Sequence, residues 1–556
     1  MECGPDFNGK IPCSKGRATG IGRQLNAIMT ADRHRCLFLL TVSIVFLSNL
    51  HGCSCCRTGT RAECEKARFV PGYNLAGEGF DVILMQRKGA YVIDVKTFMT
   101  ANDTCTLCEN NRFKQVQKLP VSVTDWRQIT SCSKHLHGEI HHSVHSLVRR
   151  SASSIINNWG LSLSLNTMIQ ARVGGSHSEI AEFAKIQANM DKATFAIHEI
   201  TCSYYSYRLV DHPKPSKEFS QSLQRLPAEY NETTESLYSR LIDTYGTHYI
   251  RQVQLGGRIQ QVSAFRTCLA TLAGVSISEM KNCLDIDLKI ALGFVPADAS
   301  FTQKCSDKLR KNMNMGRYQG FMSDKIQVLG GEAQHRHILT YQNPSLAYSN
   351  WIGSLNDTPE IVSYAIVPLH HLVSDPAVKD SLRSALRDYI IGNLVLDLHR
   401  AERLSQSCPS SPNLDYNCCP LRARYGKLVV VVERASNLNS DYFSQTDCYV
   451  KVFYNGHYKE TGYILDDNNP RWNTVLTFGT VELGHPLILE LWDSDTHYDD
   501  LIGRCRGYPE KGYHSYICKL DQSVFHFSCY VSCDPHLTGE RCEEYSPGIY
   551  GNPYEL

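Results

Sequence analysis

Apolar and polar residues alternate along several stretches of this chain with the two-residue period of a β-strand. Leu161, Leu163 and Leu165 are interleaved with Ser162, Ser164 and Asn166, which predicts a strand wetted on one face from Leu161 onward. Leu284, Ile286, Leu288, Ile290, Leu292 and Phe294 alternate with Asp285, Asp287, Lys289, Ala291 and Gly293. That run is about as long as a tilted strand must be to span a bilayer, although a half-buried strand of a soluble domain has the same pattern. A third segment is amphipathic at two periods. Ile180, Phe183, Ile186 and Met190 share a helix face, whereas Ile180, Ala184, Ile186, Ala188 and Met190 share a strand face, with Glu182 the exception. This suits a helix that refolds into a membrane hairpin, and it equally suits a plain surface helix. Phe301, Cys305, Leu309 and Met313 recur every four residues as in an amphipathic helix, and residues 377–404, with Leu382, Leu386, Tyr389, Ile390 and Leu394, read as another.

The β-type run Tyr249–Leu255 is entered through Tyr245-Gly246-Thr247-His248 and left at Gly256-Gly257, a pair able to bend a long strand, let a backbone approach closely, or turn an ordinary hairpin. A second pair, Gly330-Gly331, follows the alternating run. From Gly426 the pattern changes to short β runs, Leu428–Val432, Tyr449–Tyr454, Val475–Phe478 and Leu487–Trp492.

At 556 residues the chain is long enough for more than one domain, and 42% hydrophobic with 20% charged residues is ordinary globular composition. A net charge of +1 gives no whole-chain attraction to nucleic acid, so membrane attraction must be local or carried by an ion. The 23 cysteines point to an oxidising compartment. The apolar run Cys36–Leu47 behind Arg33 and Arg35 has the makeup of a secretory signal, with Gly52-Cys53-Ser54 as cleavage site and Met29 an alternative start. Removing Cys3, Cys13, Cys36 and Cys53 leaves 19 cysteines, so either one is unpaired or the cleavage site differs. Cys105 and Cys108 read as disulfide-bonded cysteines rather than half a zinc site or a redox pair. His135, His137, His141, His142 and His145 form a histidine-dense patch expected on a solvated helix, with His141 and His145 as weak zinc candidates on one face. Asn102, Asn231 and Asn356 head glycosylation triplets.

The motif Tyr245-Gly246-Thr247-His248-Tyr249, followed after six residues by Gly256-Gly257, resembles the signature of the MACPF (membrane attack complex/perforin) family of pore formers. The turn-rich stretch Cys55–Asp125, with Phe69-Val70-Pro71-Gly72, Ala76-Gly77-Glu78-Gly79, Cys105-Thr106-Leu107-Cys108-Glu109-Asn110 and the spacing of Cys56 and Cys64, is similar to the amino-terminal part of its perforin-like members. The resemblance implies an α+β MACPF/CDC-like domain with a bent central antiparallel sheet flanked by helical clusters, followed by an all-β C2 sandwich. It implies a leader at 1–54, the pore-forming domain at 55–404, a cysteine-containing linker at 405–425, the C2 domain at 426–530 and a tail at 531–556. The linker departs from the family, where an EGF-like shelf occupies this place. Here only Cys408, Cys418 and Cys419 remain in a Ser/Pro stretch, which puts subunit spacing in doubt.

The runs after Gly426, with Asn468-Asn469-Pro470-Arg471-Trp472, look like a C2 domain, a β-sandwich with ligand loops at one end. Asp441 and Asp447 bracket one expected loop, and Asp493, Asp495, Asp499 and Asp500 crowd another. Carboxylates held this close repel unless a dication neutralises them, so Ca2+ is the expected cofactor. The second loop is one residue shorter than the usual spacing, which leaves Asp499 and Asp500 as alternatives, with Asp500 preferred. Tyr442, Phe443 and Tyr498 flank the aspartates, as headgroup-region anchors or as core residues.

The expected function is a secreted, calcium-dependent cytolysin of immune killing. The family implies storage in acidic granules, docking on a phospholipid membrane, assembly into a homo-oligomeric ring or arc, and unfurling of residues 166–192 and 267–328 as hairpins. Joined hairpins satisfy every strand edge in lipid. The rival is a non-lytic, calcium-dependent membrane binder of the same fold. An enzyme is disfavoured because the chain carries neither a Gly-x-Ser-x-Gly elbow nor His-Glu-x-x-His.

Overall fold

The computed structural model describes residues 56–132, 136–294, 320–340, 343–394, 411–438 and 445–547. In chain order the first half supplies β1 (Cys56–Gly59), helix α1 (Arg61–Lys66), β2 (Glu78–Asp81), β3 (Gln86–Tyr91), β4 (Cys105–Asn110), β5 (Gln115–Lys118), β6 (Val123–Cys132) and β7 (His137–His141). Helices α2 (Val144–Ser151), α3 (Thr167–Val173) and α4 (Glu179–Met190) lead into β8 (Ala193–Leu209), and α5 (Lys217–Gln224) and α6 (Glu235–Tyr245) lead into β9 (His248–Arg266). Then come α7 (Thr267–Leu272), α8 (Ile277–Ala291), β10 (Met322–Leu329), α9 (Pro344–Ser354), β11 (Glu360–Pro368) and α10 (Pro376–Gly392).

The long strands β8 and β9 pair antiparallel from Ala193↔Arg266 to Arg208↔Gln252 and form the spine of the first sheet. β6 and β7 pair with the outer edge of β8, while β10 and β11 share the outer edge of β9 in succession. Residue alternation sends the spine's side chains to two faces. Phe195, Ile197, Val262 and Ala264 pack with Ile180 and Ala184 of α4. Ala196, Ile200 and Phe265 pack with Met280, Leu284 and Leu288 of α8. These two small clusters are separate from the main core around Trp126, Tyr205, Tyr207, Tyr238 and Trp351.

β12 (Tyr425–Ser436), β13 (Cys448–Tyr454), β14 (His457–Glu460), β15 (Arg471–Glu482), β16 (Leu487–Asp493), β17 (Asp500–Gly507), β18 (Gly512–Leu520) and β19 (Ser523–Cys533) build two four-stranded antiparallel sheets, ordered β15-β12-β19-β18 and β14-β13-β16-β17. Their inward residues, among them Leu428, Val430, Val432, Val450, Val452, Leu489, Leu491, Phe525 and Phe527, close one core. β19 runs three residues into the segment expected as tail, which then forms a small hairpin of β20 (Leu537–Thr538) and β21 (Glu544–Tyr545).

Several expectations change. Leu161–Leu163 is a 3-10 turn, not a strand, because Ser164 takes a left-handed conformation and Asn166 caps α3 by accepting the Ile169 N–H. Gln170 completes the reversal, accepting from Gly160 N and donating to Leu165 O. The alternating run Leu284–Phe294 starts as helix here: Ser276 and Glu279 form a capping box for α8, and Met280, Leu284 and Leu288 bury at a spacing of four. The histidine patch is not one helix, since His137 and His141 lie on β7 while His145 lies on α2. Gly256-Gly257 is not a hairpin turn, because β9 runs straight through it. The helix expected through residue 404 is described only as α10, to Gly392. The repeat Phe301, Cys305, Leu309 and Met313, the loop residues Asp441, Tyr442 and Phe443, and the leader lie outside the described residues.

Cys105 and Cys108 are in disulfides, each with a different partner, Cys64–Cys105 and Cys56–Cys108. Cys132–Cys202, Cys268–Cys419, Cys505–Cys518 and Cys533–Cys542 follow, and Cys283 and Cys418 are also disulfide-bonded. Among the described residues Cys448 and Cys529 are free thiols buried in the sandwich core, where burial pushes the Cys529 thiol up to about 12.

The close approach at Gly256 is a stringent test of this packing. A Cβ there would lie 1.9 Å from Cys202 O on the neighbouring strand. Gly256→Ala is expected to cost about 1–3 kcal/mol, as overpacking does, and to lower the thermal midpoint by several degrees. An unchanged midpoint would show that the two backbones are not in contact there.

Candidate functional site

The signature residues staple three elements at the root of the spine. Gly246 ends α6 at φ +76, ψ −157, a backbone region that only glycine occupies readily. The chain then enters β9 with Thr247 and His248 fully buried. Thr247 N donates to Phe80 O of β2, Thr247 Oγ1 accepts from Val82 N, and Leu369 N donates to Thr247 O. His248 Nδ1 lies 2.7 Å from Thr247 Oγ1, and its ring meets Trp159 edge-on. Tyr245 closes the motif through a 3.2 Å contact with the Ser222 hydroxyl. The motif is therefore a joint that fixes where β9 begins.

The two glycine pairs, Gly256-Gly257 and Gly330-Gly331, meet where β9 changes partner. β11 pairs with β9 up to Glu360↔Gly256, and β10 takes over from Leu329↔Arg258. Opposite this point β8 is irregular between Ser203 and Tyr205. Gly330 and Gly331 have φ of +74 and +79, and a Cβ on Gly330 would lie 2.4 Å from Gly256 O. A Cβ on Gly257 would strike Trp351 and Leu355, whose helix α9 is tied in through Trp351 Nε1 donating to Gly330 O at 3.0 Å. Next to the bend lies a cavity of about 750 Å³ lined by Arg87, Glu179, Arg258, Gly330 and Glu360 among others.

Helical segments cover both faces of the spine, α8 on a buried cluster with Met280, Leu284 and Leu288, α4 on fewer apolar groups, and both with polar ties. On α4 only Ile180, Ala181 and Ala184 are fully buried, while Ile186 and Met190 are 52% and 62% exposed. Burying one large aliphatic side chain is worth about 1.5–3 kcal/mol, so α4 sits lightly. Its amino end is tied to β10 by Glu179, which pairs with Lys325 at 2.9 Å and accepts from Gln327 at 3.3 Å. Its carboxyl end is tied by Asp191, paired with Arg266 at 2.7 Å. α8 is tied through Asp285, which pairs with Lys281 at 2.6 Å and lies 2.7 Å from His198 Nε2 of β8, off the line of an aligned hydrogen bond. Gly138 of β7 makes room for this group.

In the sandwich, Asp447 and Asp493 meet at one end: Asp447 N donates to Asp493 Oδ1 at 2.7 Å, and Asp447 Oδ1 accepts from Asp466 N at 2.7 Å. Asp493 is 1% exposed. Asp500 opens β17 directly across from Asp493. Asp499 instead accepts the Tyr449 hydroxyl at 2.6 Å, and that bond holds its carboxyl below the usual range. Asp495 is exposed on the same loop. Carboxylate oxygens are the donors a hard divalent cation takes. The described residues alone hold no group of three or more His, Cys, Asp or Glu placed to bind a metal, and Asp441 is not among them.

Tyr498 is 85% exposed at the tip of this loop. Tyr463 and Leu465, also exposed beside Asp466 and Asp467, escaped the sequence reading. Their signal was present as an apolar triplet, Tyr463-Ile464-Leu465, running into two acids. Of the glycosylation triplets, Asn102 and Asn231 are exposed, whereas the Asn356 amide donates to Gly353 O and accepts from Arg112. No described helix is long and apolar enough to cross a membrane, which says nothing of strands.

An antiparallel sheet with a long two-strand spine flanked by helices, joined to a β-sandwich with an acidic end, is the architecture of a two-domain protein. Residues 70–395 match the MAC/Perforin domain model and residues 426–510 the C2 domain model. Perforin-1 of Mus musculus is 35% identical over 544 residues, covering 93% of this chain and 98% of that protein. Perforin-1 of Homo sapiens is 34% identical, covering 90% and 94%. Complement component C6 of Bos taurus is 24% identical over 58% of this chain and 35% of its own length. The chain belongs to the MACPF family, and it is a pore-forming, membrane-binding cytolysin with a C-terminal C2 domain.

The buried signature histidine makes stability depend on pH. Burial pushes His248 down to about 3, and burial with the neighbouring His371 does the same to His370. Both rings are neutral in the folded chain, whereas the unfolded chain protonates near pH 6.5. As pH falls below about 6.5 the unfolded state takes up protons that the folded state refuses, so stability falls by about 1.4 kcal/mol per pH unit per ring until near pH 3. Urea midpoints measured from pH 7 to 4 should therefore decline, and more shallowly in His370→Gln. Equal slopes would mean that His370 is charged when folded.

Proposed function

We propose that this cytolysin is calcium-triggered, that its C2 domain docks the monomer, and that residues 166–192 and 267–328 become paired transmembrane hairpins in a ring or arc of subunits. The observation that carries the reading is where the spine ends. β8 begins at Ala193 and β9 stops at Arg266, paired with each other, and the chain beyond each end is helical. Converting those helices to strand extends a ladder that already exists. The exposed Ile186 and Met190, and the alternation from Leu284 to Phe294, give such strands an apolar face for lipid and a polar one for the lumen. An extended strand has unpaired edges that hydrocarbon cannot satisfy, so neighbouring subunits must supply them and assembly precedes or accompanies insertion.

Asp441, Asp447, Asp493, Asp495 and Asp500 would hold Ca2+, with Asp499 kept aside by Tyr449. A bound dication neutralises these loops and bridges them to lipid phosphate. Tyr442, Phe443 and Tyr498, joined by Tyr463 and Leu465, then enter the headgroup region. Protons compete for clustered carboxylates, so acidic storage in a granule keeps the loops uncoupled until release into neutral, calcium-rich fluid outside the cell.

Asp493→Asn keeps the acceptor for Asp447 N but removes a charge. It is expected to abolish calcium-dependent sedimentation with anionic liposomes and the dye release that follows, with an unchanged circular dichroism spectrum. Binding that persists in chelator would overturn the calcium trigger. Calcium-dependent binding of the unaltered protein without dye release would favour the non-lytic rival.

A further inference from the structure

The tail reaches back to the growth point of the spine. In the register of β8 and β9 the last pair is Ala193↔Arg266, and Thr267 N donates to Lys192 O just beyond it. Continuing that register sets Asp191 opposite Cys268. Asp191 is already extended, at φ −162, ψ 169, and is only 4% exposed, so it is the residue at which the ladder must lengthen. It is occupied. The Tyr545 hydroxyl of β21 lies 2.8 and 2.7 Å from the two Asp191 oxygens, the Arg266 guanidinium lies over the Tyr545 ring, and His536, stacked on Tyr545, has Nδ1 3.9 Å from Asp191.

The tail is made stiff enough to hold this position. Cys533–Cys542 closes its loop, β20 pairs with β21, and Ser546 N donates to His536 O. Asp534 anchors it to the linker by accepting from Ser411 Oγ and Asn413 Nδ2. The linker holds the neighbouring positions: Lys192 donates to Asn417 O, and Cys268 is bonded to Cys419. Burial and the adjacent carboxylate push the Tyr545 phenol above its ordinary range, so it remains a donor at any physiological pH. The disulfide to Cys268 is permanent on the timescale of insertion, whereas the Tyr545 contacts are hydrogen bonds that can be exchanged.

We infer that the C-terminal hairpin is a release catch, in which Tyr545 occupies Asp191 at the end of the β8–β9 ladder and must leave before either helical segment can join it. The catch links the domain that docks to the strands that insert. The inference rests on the proposed hairpin conversion. It adds that the conversion starts at Asp191 and is held back by the tail.

Tyr545→Phe keeps the ring and its packing and removes both hydrogen bonds to Asp191. Dye release from liposomes in calcium should start at least about tenfold sooner, the effect of a charge-assisted bond lost from the resting state alone, while calcium-dependent binding stays unchanged. Equal or slower release at equal binding overturns the catch. As a second arm, Tyr545 is replaced by p-benzoylphenylalanine and irradiated before calcium is added, with the cross-link to the Asp191 segment confirmed by peptide mass spectrometry. Cross-linked protein should bind and not leak; undiminished leakage from it also overturns the catch. Failure of the unaltered protein to release dye would instead remove the pore-forming premise.

Discussion

The backbone ladder between β8 and β9 is the constraint on which the other features depend. Each added rung requires both strands to be extended and each new outer edge to find a partner, because an unpaired amide in hydrocarbon costs several kcal/mol. In the structure the ladder ends at Ala193↔Arg266, and α4 on one side and α7 and α8 on the other pair their amides internally. α4 lies on one face of the ladder and α8 on the other, each over its own small apolar cluster. Neither belongs to the main core, so either can leave without opening the domain.

The ties that hold these helices are consistent with that division. Glu179–Lys325, Asp285 with Lys281 and His198, and Asp191 with Arg266 and Tyr545 are short-range polar contacts at a few points. A contact of this kind is lost completely over a displacement of an ångström or two, whereas an apolar face resists sliding over a longer path. Polar ties therefore set a threshold for release more than a gradual resistance. Asp285 is a tie in the helix, and in the proposed strand it would fall on the polar face with Asp287 and Lys289.

Much of this could be read from the sequence, and the failures have identifiable causes. The C2 strands were legible because one face of each is buried, as in Leu428, Val430 and Val432. The run from Leu284 was legible as amphipathic but not as helix, because residues four apart share a face at both periods. Leu284 and Leu288 serve the helix core now and would serve a strand face later. Leu161–Leu165 failed because side-chain bonds from Asn166 and Gln170 override a pattern of five residues. The signature was found, but its meaning as a joint required Phe80 and Val82, far away in the chain. No spacing rule connects Asp191 with Tyr545 across so long a separation, and the tail had given no signal of its own.

The reduced linker takes on a different role in this light. Residues 411–425 no longer offer a cysteine-dense shelf, yet they fasten Lys192 and Cys268, the two residues on either side of the ladder's end. The tail fastens Asp191, next to Lys192. The C-terminal hairpin is in turn joined to the same linker, through Asp534 accepting from Ser411 and Asn413. Linker and tail are therefore joined to each other, and both make contacts at the end of the β8–β9 ladder.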